Sequence, residues 1–145
     1  MDSKTYATGV GETVAKLYFE TKGYFVYSNS SGKSEFDLVL SKDKELYTVE
    51  VKTVSSLQES TKGAYFEVQL KTVRSNKTEN TIKSFNKAGL DYLVVVNLLD
   101  LTIVVLDAEE IEAKSSLRIY TSKFKPIIGG LSQEVLGTAL KAVGT

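Results

Sequence analysis

Two acidic residues and one lysine stand at spacings that suit metal-assisted hydrolysis. Glu50 and Lys52 flank Val51 in a run that alternates apolar and polar residues, as a half-buried strand does. Residues two apart on a strand point the same way, so the glutamate and the lysine project together. Asp37 lies in the preceding alternating run and would reach the same point from a hairpin partner. Two carboxylates would bind Mg²⁺, and the lysine would orient or help deprotonate a water molecule.

An acid-x-lysine triplet is weak evidence by itself, because this sequence contains four. The copies ending at Lys4, Lys22 and Lys114 fall at the terminus, on a predicted helix and in an unpaired polar stretch. The triplet ending at Lys52 lies in a strand whose hairpin partner carries an acid. The pattern is equally compatible with a solvent-facing acid–lysine pair on an antiparallel sheet.

The composition excludes several other kinds of chemistry. The 145 residues include no cysteine and no histidine, which removes cysteine nucleophiles, zinc knuckles and imidazole bases. Because 18 basic and 18 acidic side chains cancel, a nucleic-acid partner would require a local excess of positive charge. Gly9-Val10-Gly11 lacks the third glycine and the preceding strand of a dinucleotide fingerprint, so no nucleotide cofactor is expected.

The sequence shows no signal for export or membrane insertion. The N-terminus lacks an apolar signal-peptide core. The longest strongly apolar stretch, from Tyr92 to Leu99, is far shorter than the roughly 20 residues that span a bilayer. We therefore expect a single domain over residues 1–145, intracellular and cytoplasmic, with no membrane contact.

The elements that must position the acids and the lysine are predicted from hydrophobic periodicity. Helical spacing predicts a helix over residues 6–22, and strict alternation predicts a hairpin of 35–40 with 46–53. Further strands are expected over 24–27, 64–70, 92–96, 101–106 and 117–120, helices over 76–88 and 131–143, and a helical turn over 107–113. This order predicts an α/β or α+β fold in which helices flank a mixed β-sheet.

Longer segments resemble the PD-(D/E)XK nuclease superfamily. They are Gly11-Glu12, Gly23-Tyr24, and the stretches 34–39 and 49–53 that contain the acids and the lysine. The likeness is closest to homing endonucleases of group I introns, with similarity to archaeal Holliday-junction resolvases, and it covers about residues 9–112. It implies a restriction-endonuclease-like core that hydrolyses DNA with Mg²⁺, or with Mn²⁺ as a substitute.

The resemblance also implies roles for individual residues. Asp37 and Glu50 would bind the metal, with Val51 as a further ligand. Lys52 would assist the attacking water, and Glu12 on the first helix would complete the site.

Three residues fit this scheme less directly. Phe36 stands where the motif has its proline, and Glu12 lies at the edge of the apolar arc of its helix. Gln69 would support the site from a neighbouring strand, and an ordinary polar strand residue is the alternative for it.

Positive charge is concentrated after the candidate site. Residues 62–87 include six basic and two acidic side chains, with Ser, Thr and Asn between them that also donate to phosphates. We expect DNA to contact this segment and the loop 28–33, and a second basic cluster over 114–125 is a weaker candidate. The alternative is a solvated charged face. The predicted DNA-binding residues are Lys33, Lys71, Arg74, Asn76, Lys77 and Lys83.

Three classes of function remain open. The first is a Mg²⁺-dependent endonuclease on double-stranded DNA, with a homing enzyme favoured over a junction resolvase. Because two cuts are needed and one chain has one site, it predicts a homo-oligomer, a dimer or tetramer joined through residues 98–106 or the predicted C-terminal helix. The second is a non-catalytic DNA-binding subunit with the nuclease fold, and the third is an α/β domain without DNA affinity.

Overall fold

A computed structural model describes residues 3–28, 36–70, 72–75, 80–83, 88–113 and 115–127. In these ranges the chain begins with one α-helix, α1 (Ser3–Thr21), and turns at Gly23, whose φ of 90° favours glycine. The strands that follow are β1 (Phe25–Ser28), β2 (Leu38–Lys42), β3 (Glu45–Val54), β4 (Leu57–Ser60), β5 (Gly63–Gln69), β6 (Thr72–Ser75), β7 (Asn80–Lys83), β8 (Tyr92–Asn97), β9 (Thr102–Asp107) and β10 (Ser116–Tyr120). Short 3₁₀ turns cover Ala108–Glu110 and Thr121–Lys123. No helix in the described ranges is long and apolar enough to cross a bilayer.

The central sheet has five strands in the order β1-β2-β3-β8-β9. The pairing of β3 with β8 is parallel and the other pairings are antiparallel, so the sheet is mixed. Helix α1 covers one face, because its apolar stripe can be buried only against the apolar residues of the sheet. The buried residues at this contact are Val14, Ala15, Phe19, Leu38, Leu40, Val49, Val94, Val96, Ile103 and Ile127.

A second, three-stranded sheet of order β10-β5-β4 packs on the other face of the central sheet. Phe66, Val68 and Leu70 meet residues of β8 there, Leu93 and Val95. Val54 at the end of β3 also belongs to this apolar cluster. The central sheet is therefore covered by a helix on one face and, over β8 and the end of β3, by a sheet on the other.

The predicted fold class is confirmed, and so are most of the predicted elements. The first helix, the β2–β3 hairpin, the later strands and the turn after Asp107 are present with shifts of a few residues. Strand β4 was not predicted, since its residues are all exposed and show no alternation. The predicted C-terminal helix lies outside the described residues.

The helix predicted over residues 76–88 is wrong where the structure describes it. Residues 80–83 form β7, which pairs antiparallel with β6. Thr81 and Ile82 are β-branched and favour a strand once Val73 and Arg74 offer a partner strand. The remaining positions of that prediction up to residue 87 lie outside the described residues.

Helix α1 lies very close to β3 at Gly11. A Cβ atom at this buried glycine would clash with Cγ2 of Thr53, whereas one at Gly9 would meet no heavy atom within 4 Å. The missing side chain at Gly11 therefore sets the distance between helix and sheet, and with it the position of the adjacent Glu12.

Replacing these two glycines with alanine is expected to give opposite results. Gly11→Ala should lower the free energy of unfolding by about 1–3 kcal/mol, because the helix must move away from Thr53. Gly9→Ala should raise it by about 0.5–1 kcal/mol, because alanine loses less conformational entropy in a helix. Urea unfolding of both variants measures the difference. Equal responses would contradict a tight contact at Gly11.

Candidate active site

The candidate site lies beyond the first residue of β2, where β3 continues without this partner strand. Strand β2 pairs with β3 as far as Leu38, opposite Val49, while β3 runs on to Val54. The carbonyls of Thr48 and Val54 accept hydrogen bonds on the β8 side, so even-numbered residues of β3 direct their backbone groups to β8. Odd-numbered residues direct theirs to the β2 side. Val51 therefore presents its N–H and C=O at an edge that β2 no longer covers.

Asp37 occupies this edge. Its N–H donates to the carbonyl of Val49 at 2.9 Å, and its Oδ2 accepts from the N–H of Val51 at 2.7 Å. Both bonds are to the backbone of β3, so the carboxylate is fixed relative to that strand. The bond to Val51 uses one carboxylate oxygen and leaves the second for other partners.

Glu50 and Lys52 project from the face of β3 opposite α1. Val49 and Val51 pack in the cluster beneath the helix, and the residues between them alternate to the other face. The Lys52 Nζ lies 3.3 Å from Oε1 of Glu50, and the two side chains are 26% and 25% exposed. They form a half-buried ion pair that solvent reaches.

Glu12 approaches the site from the helix side. Burial raises the pKa of its carboxyl group, and the negative charge of Asp37 raises it further. Within the residues that the structure describes, no three acidic side chains form a group that would hold an ion without other donors. The predicted residues thus lie in two pairs, Glu12 with Asp37 and Glu50 with Lys52, on either side of Val51.

Glu12→Gln is expected to stabilise the metal-free protein slightly at neutral pH. A carboxyl whose pKa is raised by folding destabilises the fold when ionised, so this cost is present at neutral pH and disappears as the pH falls below the usual glutamate range. Thermal unfolding in chelator at pH 7 and pH 4 measures the gain and its loss. Glu59→Gln, at an exposed position of β4, is the control. A Glu12→Gln variant less stable than wild type at pH 7 would refute this account.

The structure does not bring Gln69 to this edge. Phe66 and Val68 of β5 face the central sheet, so the alternate residues Glu67 and Gln69 face away from it and are exposed. A supporting role for Gln69 stays a prediction. Among the predicted DNA-binding residues, Arg74 lies in β6 and Lys83 in β7, while Lys33, Lys71, Asn76 and Lys77 lie outside the described residues.

Asp91 joins two strands of the candidate site, and sequence reasoning missed it. Its Oδ2 accepts from the N–H of Thr48 at 2.8 Å, its N–H donates to the Thr48 carbonyl at 3.1 Å, and its carbonyl accepts from Ala108 at 3.0 Å. The bonds to Thr48 join β3, two residues before Glu50, to the residue that directly precedes β8. The sequence signal is one acid directly before an apolar strand, which does not reveal its partner 43 residues away.

Phe36, in the place of the motif's proline, packs near Gly89. A Cβ atom at Gly89 would lie 3.5 Å from Cζ of Phe36, and φ of 75° at Gly89 favours glycine. The aromatic ring of Phe36, the residue directly before Asp37, thus lies against the turn that leads into β8. This contact anchors the chain that enters the site.

Comparisons with known proteins identify the family and the fold. The model of the PD-(D/E)XK endonuclease family matches residues 1–125. No curated protein matches the chain. Among solved structures, the fold is similar to that of a bacterial homing endonuclease, I-Ssp6803I, with a TM-score of 0.68 and 17% identity over 99% of this chain and 98% of that one. The resemblance seen in the sequence is thereby confirmed, and the chain belongs to the PD-(D/E)XK endonuclease family.

Proposed function

We propose that this protein is a metal-dependent endonuclease that hydrolyses phosphodiester bonds in double-stranded DNA. One observation carries the proposal: the fixed carboxylate of Asp37 lies at the open edge of β3, next to the strand positions of Glu50, Val51 and Lys52. Membership of an endonuclease family supports the same conclusion.

The donors at this edge suit a hard divalent cation. Asp37 has a second carboxylate oxygen beyond its bond to Val51, and the carbonyl of Val51 faces the same side of β3. Glu50 adds a partly exposed carboxylate. Mg²⁺, or Mn²⁺ in its place, would be held by these three residues, because both prefer oxygen ligands. Once bound, the cation would make a water molecule more acidic and offset the charge that develops on the phosphate.

Lys52 would orient the attacking water and hold the scissile phosphate. Its ammonium is restrained by Glu50 at 3.3 Å, which reduces the entropy lost when it engages the substrate. Its remaining N–H donors are available because the side chain is partly exposed. Glu12 would complete the site from the α1 side, where it lies near enough to Asp37 to be affected by its charge.

We further propose that the β6–β7 hairpin contacts DNA. The two strands form a sheet of their own, and the major groove admits a two-stranded ribbon of this width. The register sets Thr72 opposite Lys83 and Arg74 opposite Thr81, which places these four positions on one face. The two strands contain two basic residues and no acid. The other contacts that we propose are Lys33, Lys71, Asn76 and Lys77.

A homing-type enzyme that recognises a specific duplex is the form of the proposal that we favour. The similarity in fold to a homing endonuclease supports it, since that structure and this chain align over nearly their full lengths. Two strands must be cut and each chain supplies one site, so the active form is a homo-oligomer.

Cleavage assays with different metal ions test the proposed function. A plasmid library and a four-way junction are incubated with the protein in Mg²⁺, Mn²⁺, Ca²⁺ or chelator. We expect cutting of a subset of the library in Mg²⁺ or Mn²⁺ and none in chelator. Preferential cutting of the junction would identify a resolvase instead. DNA binding without hydrolysis in any metal ion would replace the proposal with a non-catalytic DNA-binding subunit.

A further inference from the structure

One face of the first three strands carries large apolar side chains in solvent. We call it the apolar platform and define it by two cross-strand rows, Phe25, Ser41 and Leu46, and Tyr27, Val39 and Thr48. Phe25 is 72% exposed, Tyr27 is 59% exposed and Leu46 is 69% exposed. Exposed apolar side chains grouped on one face mark a surface at which a ligand or a partner binds.

The platform is continuous with the candidate active site. Val26 and Leu40 pack beneath α1, so the residues next to them in sequence project from the opposite side of the sheet. Glu50 and Lys52 project from that side as well, because Val49 and Val51 pack beneath the helix. The platform and the Glu50–Lys52 ion pair therefore share one surface of the molecule.

The Tyr27 row of the platform lies next to the row that contains the site. Leu38 pairs with Val49, so Asp37 and Glu50 occupy the following positions of their two strands. Since two residues of a strand span about 7 Å, this Asp37–Glu50 row lies about 7 Å from the Tyr27 row and about 14 Å from the other platform row. Of the three large exposed side chains, Tyr27 is the closest to the open edge of β3.

The chemistry of the platform suits a groove of DNA better than its backbone. None of its six residues is charged, whereas phosphates are bound mainly by positive side chains and hydrogen-bond donors. The grooves expose sugars and base edges, and base edges accept apolar contacts. The minor and major grooves are about 6 and 12 Å wide. These widths are comparable with the distances of the two platform rows from the site.

The position of the platform favours the substrate over a protein as its partner. Lys52 and Glu50 are 26% and 25% exposed, and both project from the face that carries the platform. A duplex that is cut at the Asp37–Glu50 row has to approach from this face. A protein that covered the platform would block that approach.

We propose that the apolar platform binds a groove of the substrate DNA beside the cleaved phosphate, with Tyr27 as the main contact. This inference rests on the proposed function, since the Asp37–Glu50 row holds a phosphate only if the protein acts on DNA. The ring of Tyr27 would pack against a sugar or the edge of a base. Phe25, one row farther from the site, would extend the contact. The platform would thus hold the duplex over the site without a charged contact.

Tryptophan fluorescence tests the position of the DNA. The chain contains no tryptophan, so a single introduced one reports only on its own surroundings. Tyr27→Trp places it on the platform, and Glu20→Trp places it at an exposed position of α1, on the other face of the sheet. The probe is double-stranded DNA from the plasmid library, bound in Ca²⁺ in place of Mg²⁺. DNA should shield the tryptophan of the first variant from acrylamide and leave that of the second accessible.

Affinity for the same DNA measures the contribution of the ring. Tyr27→Ala should weaken binding at least about fivefold, the effect of losing about 40 Å² of buried apolar surface. Tyr27→Phe keeps the ring and lacks only the hydroxyl, so it should bind like the wild type. Phe25→Ala should weaken binding less than Tyr27→Ala. Both positions are exposed, so thermal unfolding should show that these variants are as stable as the wild type.

Several results would overturn the platform contact. DNA that binds without shielding the tryptophan of Tyr27→Trp would place the duplex elsewhere. A Tyr27→Phe variant as weak as Tyr27→Ala would indicate a hydrogen bond from the hydroxyl in place of an apolar contact. Shielding that appears without DNA and grows with protein concentration would show that a protein covers the platform.

The same measurements separate the platform contact from the proposed function. Cleavage of DNA without shielding at position 27 would contradict only the platform contact. Shielding by DNA without cleavage in any metal ion would contradict only the proposed function. A wild-type chain that does not bind DNA would overturn both.

Discussion

Lys52→Ala is expected to lower the rate of DNA cleavage by roughly 100- to 1,000-fold, the effect of removing one transition-state donor. The ammonium lies 3.3 Å from Glu50 on the half-buried face beside the open edge of β3, where the water and phosphate would meet. Binding of the target should weaken much less, because most of the phosphate contacts that we propose lie elsewhere. Single-turnover cleavage and a binding titration measure the two effects separately.

A matched variant separates this role from general electrostatics. Lys16→Ala removes the same charge from an exposed ion pair with Glu20 on α1 and should leave cleavage unchanged. Lys52→Arg keeps the charge but changes the geometry of the donors, so it should recover only part of the rate. Full activity of Lys52→Ala, or an equal loss in Lys16→Ala, would remove Lys52 from the proposed mechanism.

The parts of the fold that could be predicted from the sequence are those encoded by local periodicity. The β2–β3 hairpin shows clean alternation, which places Leu38 and Leu40 on one face and predicts that Glu50 and Lys52 project together. The first helix is likewise visible from its apolar spacing. In these segments the hydrophobic pattern and the final packing agree.

What the sequence could not predict depends on contacts between distant residues. The bonds of Asp91 to Thr48 and the close approach of Gly11 to Thr53 each join segments about forty positions apart in sequence. Strand β7 was predicted as part of a helix and β6 was not predicted, because these short strands have no apolar alternation. Its strand pairing becomes evident only from the cross-strand register. The open edge at Val51 exists because β2 begins only at Leu38. No local sequence pattern specifies that starting position.

Asp37→Asn is expected to abolish detectable cleavage and to reduce the thermal stabilisation that we expect from Mg²⁺. Asparagine can still accept the hydrogen bond from the N–H of Val51, so the fold should survive. It lacks the negative charge that a hard cation requires from its ligand. Cleavage assays and thermal unfolding with and without Mg²⁺ measure both losses. Asp43→Asn, in the exposed turn between β2 and β3, should change neither.

Alanine at position 37 separates the effect of the Asp37 charge from the effect of its hydrogen bond to Val51. Asp37→Ala leaves the N–H of Val51 without its acceptor and should lower the free energy of unfolding by about 1–3 kcal/mol. Asp37→Asn should cost less, since it keeps the bond and removes the charge that raises the pKa of Glu12. If asparagine retained cleavage and the Mg²⁺ effect, Asp37 would have only a structural role. Loss of cleavage in a stable asparagine variant would show that the carboxylate serves the chemistry as well as the fold.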